Sequence, residues 1–340
     1  MRKAYESFRI HSKNQLKFMS KFISCDWGTT NLRLRIVDFN SKIVLKEIQS
    51  ADGIASVFRT WNTSAPEVKK DRIQFYFSYL QKHLLALENE TSFSLHDLPI
   101  VISGMASSSI GVMELEYKPI PVYANGSDLL VRRIEALSMF SNAVYIVSGL
   151  STPKDVLRGE ETLLAGCDTL AQQDEIFVFP GTHSKHIYVS DGKVESFNTY
   201  MTGEFFELLS KHSILSPSIA SHPGFSDEFF ERGVRDGVSM NLLNAAFQVR
   251  VNQLFKISGA TENFDYLSGL LVGYELKEIG SRSSELITVV SSPDLNRKYL
   301  SALQLLGLSH KSKTFDAAHA IVVGHCKIYG ALSPGNDDFI

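Results

Sequence analysis

Cysteine is scarce in this 340-residue sequence, which has only Cys25, Cys167 and Cys326, far apart and without a Cys-x-x-Cys pair. This spacing argues against a disulfide framework and against a zinc site, and it favours a reducing compartment. Long apolar runs are lacking as well, since stretches such as residues 267–273 are much shorter than the roughly 20 residues that span a bilayer. We therefore expect a cytoplasmic protein without a membrane segment.

An excess of charge of one sign is also missing, because 34 Lys and Arg residues stand against 37 Asp and Glu residues. No basic surplus is available to attract nucleic acid or an anionic membrane, so a small-molecule partner is favoured. The patterns G-x-x-x-x-G-K, G-x-G-x-x-G, H-E-x-x-H and G-x-S-x-G are absent too. Their absence argues against the usual P-loop, Rossmann, zinc-protease and esterase classes.

The sequence does contain the same short unit twice, at residues 22–48 and 176–200. Each copy predicts an apolar strand, a Gly-Thr hairpin, a second strand, a polar turn and a third strand. The hairpins at residues 28–31 (GTTN) and 181–184 (GTHS) are separated by about 150 residues, roughly one domain length. The repeat predicts an α/β protein of two lobes with mixed sheets and duplicated β-hairpin units.

Both hairpins are suited to phosphate binding. Glycine lets the N–H groups of a tight turn approach a phosphate, and short polar side chains beside it add donors. The candidate phosphate-binding residues are Gly28, Thr29, Thr30 and Asn31 in the first turn, and Gly181, Thr182, His183 and Ser184 in the second. Two such turns that face each other would clamp one polyphosphate, so we expect a nucleotide in the cleft between the lobes.

The position of the two copies also suggests how the chain is divided. We expect a disordered or extended segment over residues 1–20, an N-terminal lobe over 21–157, a C-terminal lobe over 158–313 and a last helix within 314–340 that packs back on the N-terminal lobe. Residues 128–137 have the pattern of a helix, and residues 155–170 predict a helix that is entered at Arg158-Gly159. A homodimer is compatible with the sequence, which does not decide the oligomeric state.

Asp26 and Arg33 flank the first turn. Asp26 ends a buried strand, where its charge is costly unless a cation compensates it, and a hydrated magnesium ion carried by nucleotide phosphates would do so. The alternative is an Asp that hydrogen-bonds its own turn. Arg33 lies on the following strand and points either into the cleft or to solvent.

Glu160 and Glu161 are the candidate proton acceptors for phosphoryl transfer to a hydroxyl group, since they follow a glycine at a predicted helix entry. Their alternative role is to complement the helix dipole. We favour Glu160 because it adjoins the glycine turn. Arg158 and Lys185 could each bind an anionic substrate, or they could be paired with acids or solvated.

Three further candidates concern the nucleoside. Ser291 and Ser292 follow a late predicted strand and could contact the nucleoside, or they could form an ordinary N-cap region. Gly269 and Gly273 form a small-residue face on a predicted helix, which is typical of close packing and sometimes of a flat ligand surface. We include Gly269 among the nucleotide-binding candidates.

The paired D-x-G-T and P-G-T hairpins resemble those of the actin-like ATPase superfamily, which has a ribonuclease H-like fold and includes sugar kinases. Within it, the sequence is similar to the 2-dehydro-3-deoxygalactonokinase family. The similarity rests on six segments that occur in family order: DWGTTNLR (26–33), ISGMASSSIG (102–111), RGEET (158–162), PGTHSKHI (180–187), MTGE (201–204) and LSGLLVG (267–273).

The resemblance implies phosphorylation of the 6-hydroxyl group of 2-dehydro-3-deoxy-D-galactonate, with ATP as the donor and Mg²⁺ held through water by Asp26. It implies that the two turns bind the phosphates and that Glu160 accepts the proton. Ser103, Gly104, Ala106 and Ser107 would border the sugar acid, with Arg158 or Lys185 near its carboxylate. Ala106 and Val112 stand where the family usually has Gly and Trp, so the acceptor could differ.

Other functions remain open at this point. A kinase for a different keto-deoxy sugar acid would fit the same motifs. A phosphohydrolase of the same fold acting on polyphosphate or a nucleotide would have a similar Glu-Glu helix entry, although it would favour a strongly basic channel. A non-catalytic nucleotide switch would keep the turns and lose turnover.

Overall fold

The structure is a computed structural model that describes residues 20–64, 71–137, 140–170, 173–221, 225–281 and 285–332. The predicted disordered or extended segment lies outside these residues except for Ser20. The chain divides into two compact units. The first unit contains the described residues up to Asp168 and those from His319 onward, and the second runs from Thr169 to Ala318.

The chain contains both strands and helices throughout its length, in runs of one kind as well as in alternation. The strands are β1 (Lys21–Trp27), β2 (Leu32–Asp38), β3 (Ile43–Ser50), β4 (Ile100–Gly104), β5 (Lys118–Pro119), β6 (Val122–Tyr123), β7 (Val131–Ile134), β8 (Val144–Val147), β9 (Leu150–Ser151), β10 (Val156–Leu157), β11 (Glu175–Phe179), β12 (Ser184–Ser190), β13 (Lys193–Tyr200), β14 (Leu286–Ser291) and β15 (Ser312–Asp316). The helices are α1 (Ile54–Asn62), α2 (Arg72–Asn89), α3 (Glu160–Gly166), α4 (Thr202–His212), α5 (Asp227–Ser239), α6 (Leu242–Leu254), α7 (Ala260–Leu276), α8 (Pro293–Leu305) and α9 (Ala317–Ala331). None of these helices has the length and apolar character needed to cross a membrane.

The first unit is built on a mixed sheet of order β3-β2-β1-β4-β8-β7. The hairpin strands β1, β2 and β3 are antiparallel, whereas β4 and β8 run parallel to β1. A second, small sheet has the order β10-β9-β5. Side chains from β1, β4 and α2, among them Trp27, Tyr76 and Leu80, form an apolar core on the main sheet. Nearly all residues of β1 and β4 are buried, as is typical of strands that are covered on both faces.

The second unit repeats this order. From the hairpin outward its strands run β13-β12-β11-β14-β15, with three antiparallel strands followed by two parallel ones. An irregularity in strand pairing is repeated as well. The pairing of β2 with β3 shifts register after Ile36, and that of β12 with β13 shifts register after Tyr188, in each case after five residue pairs. The predicted α/β class with duplicated hairpin units is confirmed.

The division between the units differs from the predicted one. The sequence placed boundaries after residues 157 and 313, whereas the structure divides after Asp168 and after Ala318. The reason is that α3 packs on α9 with backbone against backbone. A Cβ atom at Gly166 would lie 1.8 Å from the carbonyl oxygen of Ala320, and one at Gly324 would lie 2.0 Å from that of Thr162.

Two predicted helices are wrong in part. Residues 128–137 contain strand β7, which pairs with β8 at the edge of the first sheet, so tertiary pairing overrides the local helical pattern. Within residues 155–170 the helix begins after Gly159, in agreement with the predicted entry, but it ends at Gly166 rather than at Leu170. Gly159 has a φ of 106°. A residue with that φ cannot continue a right-handed helix.

Helices α5 and α7 of the second unit cross at very short range. A Cβ atom at Gly269 would lie 2.0 Å from the carbonyl oxygen of Phe230, and one at Gly273 would lie 2.4 Å from that of Val234. The glycines of α5 make the same kind of contact with α7, since Cβ atoms at Gly233 and Gly237 would lie 2.1 Å and 2.2 Å from carbonyl oxygens of α7. Of the two alternatives for the small-residue face of α7, the structure therefore shows close packing.

We predict that Gly269→Ala lowers the free energy of unfolding, measured by denaturant titration. Alanine favours a helix by about 1 kcal/mol over glycine. The overlap with Phe230 should cost more, about 1–3 kcal/mol net, because two packed helix backbones must separate. Gly280→Ala is the control, since a Cβ atom there has no neighbour within 4 Å. Equal stability of the two variants would contradict the packing role.

Candidate active site

The first Gly-Thr turn follows directly from the buried end of β1. Trp27 is fully buried, and its indole Nε1 donates a hydrogen bond to the carbonyl oxygen of Asp52 (2.9 Å). The turn then closes with the Gly28 N–H donating to the carbonyl oxygen of Asn31 (2.9 Å). Thr29 and Thr30 are exposed at its tip. The turn thus presents its polar groups on a rigid, buried base.

Helix α1 supports this turn from behind. The N–H groups of Ile54 and Ala55 donate to the carbonyl oxygens of Gly28 (3.0 Å) and Thr29 (3.1 Å). The approach requires glycine at position 53, because a Cβ atom there would lie 2.3 Å from the carbonyl carbon of Thr30. The positive end of the α1 dipole is therefore directed at the turn.

The second turn is supported by the same arrangement. The N–H of Glu204, in the first turn of α4, donates to the carbonyl oxygen of Thr182 (3.0 Å). A Cβ atom at Gly203 would lie 2.5 Å from the carbonyl oxygen of Gly181. Sequence reasoning did not assign Gly53 or Gly203 a role. A signal was present, since each glycine stands three residues after the third strand of its hairpin copy.

Ser184 connects the second turn to a buried polar network. Its hydroxyl accepts a hydrogen bond from the Gly181 N–H (3.3 Å) and lies 3.3 Å from the hydroxyl of Tyr299. Tyr299 in turn donates to the buried carboxylate of Glu275 (2.8 Å), which also contacts His186 Nε2 (2.9 Å). Burial and the neighbouring Glu275 charge hold the pKa of Tyr299 well above its usual value, so its hydroxyl stays a donor.

His183 and Lys185 have different surroundings, although both were predicted around the second turn. His183 is exposed, and its Nε2 lies 2.5 Å from a carboxylate oxygen of Glu204. Lys185 is buried on β12, and its Nζ donates to the carbonyl oxygen of His183 (3.1 Å). Lys185 thus stabilises the turn backbone.

Asp26 and Arg33 lie directly opposite each other on β1 and β2 and form an ion pair, with Asp26 Oδ2 and Arg33 Nη1 3.2 Å apart. Both side chains are partly exposed. Within the described residues, no group of three or more His, Cys, Asp or Glu side chains could enclose a metal. The Asp26 charge is compensated by Arg33 in this structure. A partly exposed carboxylate still suits hydrated Mg²⁺, which usually binds one or two carboxylates together with nucleotide phosphates.

Two glycines bring the start of α3 next to the ends of β1 and β4. Gly104 has a φ of 87°, and a Cβ atom there would lie 2.8 Å from the carbonyl oxygen of Trp27. Gly159 packs on Gly104, since a Cβ atom at Gly159 would lie 3.4 Å from the Gly104 Cα. The acidic residues that open α3 therefore belong to the same region of the first unit as Asp26.

The two glutamates that open α3 are not equivalent. Glu161 is 2% exposed, and its carboxylate accepts hydrogen bonds from the N–H of Gly159 (2.6 Å) and the hydroxyl of Thr162 (2.9 Å). Burial, with a further contribution from the charge of Glu160, raises the pKa of Glu161 to about 7. Glu160 is only half-buried, and one of its oxygens accepts from the N–H of Arg158 (3.0 Å).

Arg158 is held in place by two first-unit residues. Its guanidinium stacks on the ring of Tyr117 (4.2 Å to the centroid), and Nη1 donates to the hydroxyl of Ser107. Its Nε is buried without a hydrogen-bond partner. Sequence reasoning did not identify Tyr117, which lies 41 residues before Arg158 and carries no local signal. The arrangement leaves an aligned cation with unused donor capacity.

Ser103 and Ala106 lie inside the first unit. The hydroxyl of Ser103 contacts Nε2 of His325 (3.0 Å), and Nδ1 of that ring contacts the hydroxyl of Ser24 (2.8 Å). Burial lowers the pKa of His325 to about 3, so the ring is neutral and bridges β1 and β4. Ala106 belongs to the apolar core together with Val112. Neither the Ser103 nor the Ala106 side chain is open to a ligand.

The nucleoside candidates are dispersed in the second unit. Ser291 is buried, and its hydroxyl donates to the side-chain oxygen of Asn296 (2.8 Å). Ser292 is exposed at the N-cap of α8. Gly269 is packed against α5 as described above. Of the three, Ser292 alone presents an exposed side chain.

Comparison with known proteins gives consistent matches over most of the chain. The family model of 2-keto-3-deoxy-galactonokinase matches residues 26–328. A probable 2-dehydro-3-deoxygalactonokinase of Rhizobium meliloti (strain 1021) is 31% identical over 92% of this chain and 98% of its own length. The 2-dehydro-3-deoxygalactonokinase of Escherichia coli (strain K12) is 27% identical over 88% of this chain and 94% of its own.

A solved structure extends the likeness to three dimensions. The crystal structure of a protein from Sinorhizobium meliloti, named as a candidate 2-dehydro-3-deoxygalactonokinase, has a TM-score of 0.78 and 30% identity. The match covers 92% of this chain and 97% of that one. The two-unit fold is therefore shared with a relative along nearly the whole length of both chains.

We predict that Glu161 makes the stability of the protein fall as the pH rises from about 5 to 7.5. The unfolded chain ionises this carboxyl near pH 4.5, whereas the folded chain keeps it protonated up to about pH 7, so rising pH favours unfolding across that window. Thermal unfolding midpoints at several pH values measure the effect. Glu161→Gln, which has no such titration, should show a smaller decrease, and exposed Glu135→Gln should behave like wild type. Identical pH profiles of wild type and Glu161→Gln would contradict the raised pKa.

Proposed function

Because the chain belongs to the 2-keto-3-deoxy-galactonokinase family, we propose that it transfers the γ-phosphoryl group of ATP to the 6-hydroxyl group of 2-dehydro-3-deoxy-D-galactonate. It is a sugar-acid kinase, a phosphotransferase with an alcohol group as acceptor that acts in galactonate breakdown. The observation that carries the proposal is the family match over residues 26–328, which includes both turns and the acidic start of α3.

The two Gly-Thr turns bind the phosphates of ATP. Helix N–H groups donate to the carbonyl oxygens of Gly28 and Thr29 in the first turn and to that of Thr182 in the second. These bonds hold the turn backbone, and the positive end of each helix faces its turn. Asp26 would hold, through water, the Mg²⁺ that arrives with the nucleotide. The ion would neutralise charge that develops on the phosphate oxygens.

Glu160 accepts the proton of the attacking hydroxyl group. The sugar oxygen forms a bond to the γ-phosphorus, the bond from that phosphorus to the oxygen of ADP breaks, and the hydroxyl proton moves to the Glu160 carboxylate. We favour Glu160 as the proton acceptor because it is more exposed than Glu161. Both carboxylate oxygens of Glu161 already accept hydrogen bonds, from the Gly159 N–H and the Thr162 hydroxyl. Glu161 instead fixes the start of α3 and acts as a positioning residue.

Arg158 binds the carboxylate of the sugar acid. Tyr117 and Ser107 fix the plane of its guanidinium, which can then present two N–H groups to a carboxylate in a fork geometry. Lys185, the other candidate, is already used to hold the backbone of the second turn. Recognition of the acid group thus belongs to the first unit, beside Glu160.

The cellular setting completes the proposal. Three buried cysteines that form no disulfide among the described residues, together with a nucleotide co-substrate, are typical of the cytoplasm, where we place the reaction. Its partners are the sugar acid and ATP. The homodimer that the sequence allows is included in the proposal.

We predict that Glu160→Gln lowers kcat by about 10²- to 10⁴-fold, because the variant cannot accept the proton. ADP release is measured with Mg-ATP against 2-dehydro-3-deoxygalactonate, its gluconate epimer, other sugar acids and water alone. Wild type should release ADP with the galactonate-derived acid, and exposed Glu135→Gln should match it. ADP release with water alone, or with none of the acids, would overturn the kinase assignment, and full activity of Glu160→Gln would overturn the choice of base.

We predict that Arg158→Lys raises KM for the sugar acid by about 10- to 100-fold and leaves KM for ATP nearly unchanged, since lysine keeps the charge and loses the fork. Wild type should bind an analogue that has an alcohol in place of the carboxylate as weakly as Arg158→Lys binds the sugar acid itself. Tyr117→Phe keeps the stacked ring and should behave like wild type. A raised KM for ATP in Arg158→Lys would place this cation near the nucleotide and contradict the assignment.

A further inference from the structure

We infer that two copies of this protein associate through an apolar surface formed by α4 and α6 of the second unit, here called the α4–α6 face. The sequence of α4 carries four large apolar residues, yet none of its residues is buried. Phe205 is 41% exposed and Leu208, one helical turn further on, is 45% exposed. A helix with this pattern usually packs its apolar side chains against another surface. The part of the chain that the structure describes leaves much of the apolar surface of α4 exposed.

The α4–α6 face contains an apolar groove. Its volume is about 200 Å³, and the residues that line it include Phe205, Leu209, Ile214, Leu215, Leu243 and Phe247. Two of these lining side chains are largely exposed, Leu243 at 81% and Ile214 at 68%. Exposed apolar surface of this kind, concentrated in one place, usually marks a protein contact.

A second copy of the chain fits this surface because the surface is complementary to itself. In a two-fold dimer the same patch on both copies forms the contact. Because Leu243 lines the groove and is 81% exposed, each copy can place this side chain in the groove of the other. Two exposed charges of α4, Glu207 and Lys211, pair with each other (2.9 Å), so this pair adds no net charge that would repel a second copy.

The exposed area agrees with what a stable dimer needs. Five residues, Phe205, Leu208, Ile214, Leu243 and Phe247, are between 41% and 81% exposed. At roughly 150–200 Å² for each large apolar residue they offer about 500 Å² of apolar surface. A standard interface buries about 800 Å² on each partner, of which roughly 55–65% is apolar. The α4–α6 face therefore supplies the apolar share of one side of such an interface.

The inference does not rest on the kinase activity, because no residue assigned to phosphate, proton or carboxylate binding belongs to the α4–α6 face. Its test is the mass of the full-length protein in solution, by light scattering after size-exclusion chromatography. Wild type should have twice the mass of the 37.9 kDa chain. Leu243→Glu should weaken association at least 100-fold and elute as a monomer, because two carboxylates would enter apolar grooves.

Two controls separate association from folding. Leu85→Glu replaces a 53% exposed leucine on α2 in the first unit and should remain a dimer. Phe247→Glu alters the α4–α6 face from α6 and should be a monomer with the circular dichroism spectrum of wild type. A wild-type monomer at tens of micromolar overturns the inference, even if another protein occupies the face. A dimer that persists in both Leu243→Glu and Phe247→Glu overturns it as well.

Discussion

The close contact between each Gly-Thr turn and the helix behind it is the constraint on which both candidate phosphate sites depend. Gly53 and Gly203 allow helix N-termini to donate hydrogen bonds to turn carbonyl groups, at distances that any side chain would prevent. The turn carbonyls are thereby occupied, and the turn keeps one shape before a ligand arrives. The same solution appears in both units, so a change at either glycine would move the backbone that is proposed to bind ATP.

Buried polar groups fix the remaining parts of each unit. In the second unit the Glu275 carboxylate joins the turn, through Tyr299, to α7 and β12. In the first unit the neutral ring of His325 joins β1 to β4, and Glu161 closes the start of α3. Such groups are costly to bury unless they are satisfied, and when satisfied they specify a single arrangement. The raised pKa of Glu161 is one consequence of that burial.

Helix α4 combines two roles along its length. Its first turn supports the second Gly-Thr turn through Glu204 and Gly203, and its apolar residues further along form part of the α4–α6 face. Association of two copies would remove that surface from water and hold α4 from its outer side. Stability of the dimer and order in the candidate phosphate turn would then depend on the same helix.

The duplicated hairpins, the two turns and the acidic entry of α3 could be predicted from the sequence, because each is a local pattern of apolar alternation, glycine and short polar residues. The residues that surround them could not. Tyr117 stacks on Arg158 from 41 positions away, Ser103 faces His325 because of sheet register, and residues 131–134 form a strand because β8 pairs with them. Sequence determines the conformations that a short segment favours, whereas long-range packing decides which side chains become neighbours and which of two adjacent glutamates is buried.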